Sequence, residues 1–253
     1  MAVALRQLIE RLDRELQPSR WNDYAPNGLQ VEGRPWVERL VTGVTASQRF
    51  IEQALAMDAD AVLVHHGLFW RGDSPVVTGM KKRRLATLLG ADLTVLAYHL
   101  PLDAHPRLGN NTQLALRLGL PCSGVFADAS GRELIQWGAF SEPMAASVFA
   151  EHVSHVLGRS VQHIPGGTAW IQRIAWCTGA AQQGIQIAIE QGMDAYLSGE
   201  ISEPTVHAAM ESGIHYFAAG HHATELYGIQ ALGAWVAQEL GIEHHFIDCP
   251  VDV

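Results

Sequence analysis

Cysteine is scarce in this chain. Cys122, Cys177 and Cys249 stand far apart and form no C-x-x-C, so neither a disulfide framework nor a thiolate zinc site is indicated, and a reducing compartment fits. Long apolar runs are missing too: nowhere do about eighteen consecutive apolar residues occur, the length that a membrane-spanning helix needs. The opening stretch MAVALRQLIERLDREL carries charges throughout and lacks the apolar core and cleavage site of a signal peptide. It reads as an amphipathic helix, and a cytoplasmic protein is expected. Basic residues are few, with 17 Lys and Arg against 26 Asp and Glu for a net charge of -9. Direct nucleic-acid binding is therefore disfavoured. The one basic cluster, Lys81-Lys82-Arg83-Arg84, opens a helical stretch and reads as a solvated face rather than a phosphate site. Also missing are the glycine-rich phosphate loop, the dinucleotide fingerprint, the nucleophile elbow and the zincin helix. Nucleotide-fuelled chemistry is not expected.

What the chain has in excess is histidine, thirteen residues in 253. Several adjoin acidic residues just after apolar runs. Those runs alternate with helix-period segments: RLVTGVTA, SQRFIEQALAMDA, DAVLVHHG, a helix from about Lys81 to Leu89, then LTVLAYH. This is the βαβ pattern of a mostly parallel sheet covered by helices. The second half repeats it with RIAWCTGA, a helix through QQGIQIAIEQGM, DAYLSGE, a helix near Glu203 to Ser212, IHYFAAGHH and a long final helix. Thr42-Gly43 answers Thr178-Gly179, and Asp60-Ala61-Val62-Leu63 answers Asp194-Ala195-Tyr196-Leu197. The expected architecture is thus α/β, with two similar βαβ-containing lobes from an internal duplication. Their mixed sheets would be covered by helices and would flank a metal cleft. The first lobe would run over residues 1–120 and the second over 121–253.

The candidate site residues sit where such sheets bind ligands, at the carboxyl ends of strands. Val62-Leu63-Val64-His65-His66-Gly67 delivers two adjacent histidines, which share one site only if the strand breaks at Gly67. The plain alternative is one satisfied core histidine beside one exposed histidine. His221 and Glu225, at i and i+4 on a helix start, lie on one face and suit a metal or an ordinary hydrogen bond. Asp103, just past the strand that ends in His99, could bridge two ions or simply cap the next segment. The clustering of His65, His66, Asp103, His221 and Glu225 at strand ends favours ligation. Imidazole and carboxylate donors without thiolate suit zinc, manganese, iron or nickel.

Around these five, Glu200 is the candidate general base, because the repeat sets it opposite His66. His99, the counterpart of His221, reads as a proton shuttle or an orienting partner. His222 and His207 are supporting candidates, His207 equally a surface pair with Glu203. His244 and His245 on the last strand read as structural. The loop Asn22-Asp23-Tyr24-Ala25-Pro26-Asn27-Gly28-Leu29-Gln30 is either functional or a crossover.

With these residues in view, the chain resembles the Ngg1-interacting-factor-three-like dinuclear metal proteins, often named as the GTP cyclohydrolase one type two homologue. The resemblance rests on Pro26-Asn27-Gly28-Leu29-Gln30-Val31, Val64-His65-His66-Gly67, His99 with Asp103, Ser198-Gly199-Glu200 and Gly220-His221-His222-Ala223-Thr224-Glu225. It spans nearly the whole chain in the family's short form, because too few residues separate Leu120 and Arg173 for an inserted domain. It implies two divalent metal ions per subunit on His65, His66, Asp103, His221 and Glu225, and a toroidal homohexamer. The reaction class expected is metal-dependent hydrolysis of a small nucleotide-like or cyclic amide substrate, with water activated by the ions. The other reading is a non-catalytic metal-binding scaffold or regulatory protein.

Overall fold

A computed structural model describes residues 1–252. Among them the alternating pattern becomes thirteen strands and ten α-helices. In chain order these are β1 (Val3–Ala4), α1 (Leu5–Leu16), β2 (Gly28–Val31), β3 (Trp36–Val37), β4 (Arg39–Thr45), α2 (Gln48–Ala56), β5 (Ala61–His66), α3 (Gly79–Gly90), β6 (Thr94–Ala97), α4 (Leu100–Asp103) and α5 (Asn110–Leu118). They continue with β7 (Gly124–Ala127), β8 (Glu133–Ala145), α6 (Ala146–Leu157), β9 (Gln162–Ile164), β10 (Trp170–Cys177), α7 (Ile185–Glu190), β11 (Ala195–Ser198), α8 (Glu203–Ser212), β12 (His215–Ala218), α9 (His221–Thr224), α10 (Leu226–Leu240) and β13 (Glu243–Phe246). The chain is a mixed α/β protein of two compact units. The first comprises Met1–Gly109 with Gly228–Cys249, and the second Asn110–Tyr227 with the residues from Pro250. The sequence reading divided the chain after residue 120. Packing instead places α5 in the second unit and residues 228–249 in the first, where β13 pairs with β4.

In the first unit the sheet runs β13-β4-β5-β6-β2. Its four strands from β13 to β6 are parallel, and β2 closes the edge antiparallel to β6. Parallel strands need cover on both faces, and the sequence supplies it. Val41, Val62, Val64 and Val95 pack with Phe50, Ile51 and Ala54 of α2 and Leu88 of α3, while the alternate residues Leu40, Leu63 and Leu96 are buried as well. Helix α2 starts where Ser47 Oγ accepts a hydrogen bond from the Phe50 amide, 3.2 Å, which satisfies one of the open donors of its first turn. Helix α1 buries Leu5, Leu8, Leu12 and Leu16, one stripe at helical spacing. His244 bonds Thr42 Oγ1 at 2.8 Å and His245 bonds Glu243, so both histidines of the last strand have partners within their own sheet.

In the second unit the order is β7-β8-β10-β11-β12-β9. The strands β10, β11 and β12 are parallel, flanked by antiparallel β8 and β9. Its core gathers Trp176, Ile174, Leu197 and Phe217 from the sheet with Phe149 and Val153 from α6 and Leu114 from α5. The expected helix near Glu203 to Ser212 is α8. Among the described residues no helix is long and apolar enough to cross a membrane.

Candidate metal-binding clusters

Each unit places ionisable side chains at the carboxyl ends of its parallel strands. In the first, the buried run of β5 ends in His65, fully buried, and His66, half-buried. Successive side chains of a regular strand point to opposite faces, yet these two rings lie 4.5 Å apart. The pairing of β5 with β4 keeps its register through His66, the last residue of the strand, so the two rings converge through their side chains where the strand ends. The end of β6 supplies His99, whose ring is 5.0 Å from that of His65 and 5.8 Å from that of His66. One ligand atom from each of His65, His66 and His99 falls within 4.8 Å of the others, a group that could hold a metal ion. Asp103, the last residue of α4, is buried and sets Oδ1 3.4 Å from His65 Nε2.

The imidazoles are oriented from behind. His65 Nδ1 lies 3.0 Å from the Tyr98 carbonyl oxygen, which can only accept, so Nδ1 carries the proton and Nε2 faces Asp103. His99 Nδ1 lies 2.9 Å from Asp23 Oδ1, which fixes the same tautomer. His66 Nδ1 pairs with Thr45 Oγ1 at 3.1 Å. Such partners on the far ring nitrogen are what metal-ligating histidines use to fix ring orientation. Asp23 does more than hold His99. Its carboxylate also accepts from the amides of Leu100, 2.9 Å, and Ala25, 3.1 Å, and from Asn27 Nδ2, 3.0 Å. Burial alone would raise its pKa, but the His99 imidazole and these donors outweigh burial and hold it well below the usual carboxylate range. Stability from a carboxylate lowered in this way is present at neutral pH and is lost as pH falls below its unfolded value near 4. Asp23→Ala is expected to cost about 1–3 kcal/mol at pH 7 by stranding buried donors, with a smaller loss of stability than wild type between pH 5 and 3. Urea midpoints across that range check it, and an unchanged midpoint at pH 7 would rule the role out.

The second unit builds its cluster on three strand ends. Strand β12 leads through Gly220 into α9, and His221 sets Nε2 3.2 Å from Glu225 Oε2, as the i, i+4 spacing requires. His221 Nδ1 donates to Glu200 Oε1 at 2.7 Å, from the turn after β11. Burial resists charge on this ring, but the carboxylates of Glu225 and Glu200 outweigh it and raise the His221 pKa to about 9. The turn after β10 brings Gly179, whose carbonyl accepts from the amides of Gly199, 3.0 Å, and Glu200, 3.2 Å, and whose amide donates to Thr224 Oγ1. A methyl group at residue 179 would meet Glu225 Oε1 at 2.1 Å, and its φ of +68° is a conformation that favours glycine. At Gly199 a methyl would fall 2.7 Å from His221 Cα, so the turn after β11 approaches α9 only without a side chain.

Of the supporting residues expected from sequence, Glu200 and His99 are drawn into these clusters. His222 is buried on α9. His207 lies on the exposed face of α8 with Glu203 at 3.9 Å, the surface-pair geometry. Sequence reasoning missed Asp23, Thr45 and Gly179. The loop that holds Asp23 is rich in turn formers and Thr178-Gly179 answers Thr42-Gly43, but neither signal carries a role.

Residues 3–252 match the model of the family described as Duf34/NIF3 (NGG1p interacting factor 3). A Pseudomonas aeruginosa protein named "GTP cyclohydrolase 1 type 2 homolog" is 56% identical over 250 residues, covering 99% of both chains. A Vibrio cholerae protein of the same name is 49% identical over 244 residues, covering 96% of each. Among solved structures, a structural-genomics protein called ybgI, of unknown function, is 45% identical with a TM-score of 0.95, covering 99% of this chain and 100% of its own.

Proposed function

The chain belongs to the Duf34/NIF3 family, and from that premise we propose that it is a metal-dependent hydrolase holding two divalent ions on His65, His66, Asp103, His221 and Glu225. The observation that carries this reading is the common arrangement of the imidazoles: each of His65, His66, His99 and His221 engages a protein partner through Nδ1. Nε2 of His65 then faces Asp103 and Nε2 of His221 faces Glu225. The donor set of imidazoles and carboxylates fits zinc, manganese, iron or nickel. Bound there, such ions would supply Lewis acidity and activate water for attack on a small nucleotide-like or cyclic amide substrate.

The remaining roles belong to the chain. Glu200 orients His221 through Nδ1 and keeps a carboxylate that is about one-third exposed, placed to take a proton as general base. His99, braced by Asp23, moves protons at Nε2. The relatives' shared name, a cyclohydrolase homologue, supports ring-opening hydrolysis as the reaction type. The parallel triplets β4-β5-β6 and β10-β11-β12 support descent of the two units from one duplicated element. We extend the proposal to a cytoplasmic toroidal homohexamer, on the family resemblance.

The test is elemental analysis of metal per chain, coupled to a hydrolase screen of nucleotides, cyclic amides and phosphoesters with each candidate metal restored. Two ions per chain with metal-dependent turnover are expected. Two ions with no turnover across the screen would favour a metal-binding scaffold instead.

A further inference from the structure

The loop of residues 22–30 and the segment that follows β5 border an open cavity whose lining includes none of the five proposed ligands. Tyr24, Phe69 and Trp70 line a cavity of about 360 Å³ within the first unit, with Arg71 beside them. That is at the small end of the ~300–1,000 Å³ typical of ligand pockets, room for one nucleoside or bicyclic ring.

The aromatic walls continue into the imidazole cluster. The Tyr24 and Trp70 ring centroids are 5.8 Å apart, and both rings meet His99 edge-on, at 4.9 Å and 5.2 Å. Trp70 also lies 5.7 Å from His66. An aromatic group that only filled core space would be buried, yet Tyr24 is 45% exposed and Phe69 and Trp70 are only partly covered. Exposed ring faces held beside ionisable groups are what planar ligands stack upon.

The walls are also held in place before any ligand arrives. The Arg71 amide donates to the Tyr24 carbonyl at 2.7 Å and its guanidinium donates to the Asp23 carbonyl at 2.6 Å. The Leu68 amide donates to Gln30 Oε1 at 2.7 Å, which ties the segment after β5 to strand β2. Binding therefore orders little of the protein, which favours affinity.

We propose that this cavity binds the planar ring of a nitrogen heterocycle against Tyr24 and Trp70, the same rings that pack on His99 and, for Trp70, on His66. The inference rests on the hydrolase reading for its choice of ring, because a hydrocarbon ring offers a hydrolase no bond to cleave. It names the substrate class of that site: the heterocycle itself, rather than a sugar phosphate or an acyclic amide.

The experiment is calorimetric titration of adenosine and guanosine, with ribose 5-phosphate as the ringless comparison. The proteins are the metal-restored wild type, Trp70→Ala, Trp70→Phe and Tyr24→Ala, with metal content measured on each sample. The nucleosides should bind wild type, and Trp70→Ala should weaken them by roughly 5- to 150-fold, the range for loss of one base-stacking ring. Trp70→Phe should retain most of the affinity, and it guards against a Trp70→Ala protein that fails to fold. Tyr24→Ala, at an exposed position, should also lose affinity. No nucleoside binding, equal binding of ribose 5-phosphate, or nucleoside affinity unchanged in both alanine variants would overturn the proposal. Full metal content with no ring binding removes this subsite and leaves the hydrolase reading. Ring binding through Trp70 in a wild type that takes up no metal sustains the subsite and removes the hydrolase.

Discussion

Purified His65→Ala and Glu225→Ala proteins are expected to carry far less metal per chain than wild type, and to lose more affinity than a variant that only disturbs ligand orientation. His65 is fully buried with Nε2 facing Asp103, and Glu225 is buried with Oε2 facing His221 Nε2. Removing either takes away a donor atom. Glu200→Gln supplies the comparison, because it keeps a group of the same size behind His221 while removing the charge that braces Nδ1. Loss of such an orienting partner costs about 10–100-fold in metal affinity, so the alanine variants should exceed that range in chelator-competition titrations. His65→Gln, closer in volume, controls for the cavity that alanine would open at this position. Unchanged stoichiometry in both alanine variants would sink the ligand assignment.

Trp176→Ala should be among the most destabilising substitutions in the second unit. Trp176 is fully buried at the centre of its core, and its Nε1 donates to the Asn111 carbonyl at 3.1 Å. Truncating a buried Trp costs about 3–5 kcal/mol from lost contact and the cavity left behind. Asn111 in turn holds the Thr178 amide at 2.8 Å through Oδ1 and reaches the Leu134 carbonyl through Nδ2. The damage should therefore reach the turn that places Gly179 beside Glu225. Trp176→Phe keeps much of the volume and gives up the hydrogen bond, and it should retain more than half of the lost stability. Denaturant unfolding decides, and a loss below about 1 kcal/mol for Trp176→Ala would contradict this account of the core.

Much of this was legible in the sequence where the signal is local. A run of apolar and β-branched residues ending in His65-His66 has few folds open to it other than a buried strand, and β5 is that strand. The i, i+4 spacing of His221 and Glu225 gave their contact directly. Asp23 was illegible as the brace of His99, because the two are 76 residues apart and an Asp among turn formers looks like a turn residue. The same holds for residues 228–249. Arg39 and Glu243 pair across 204 positions, and a pairing of that reach leaves no periodicity in either segment. Gly179 is a third case: its need for a bare α-carbon comes from Glu225, which no window around Thr178 contains.

The return of residues 228–249 to the first unit sets an order of events during synthesis. Strand β4 is bordered by β5 on one side and by β13 on the other, and β13 is made only after the whole of Asn110–Tyr227. Until it emerges, one edge of β4 offers unpaired backbone groups, the kind of edge that invites foreign strands. The main body of the second unit, Asn110–Tyr227, is continuous in sequence and has all its strands in hand earlier. A ribosome working along this message would thus expose a nascent chain whose later-encoded half can settle before its earlier-encoded half is sealed. The open edge of β4 makes the nascent first unit the part most dependent on chaperone cover.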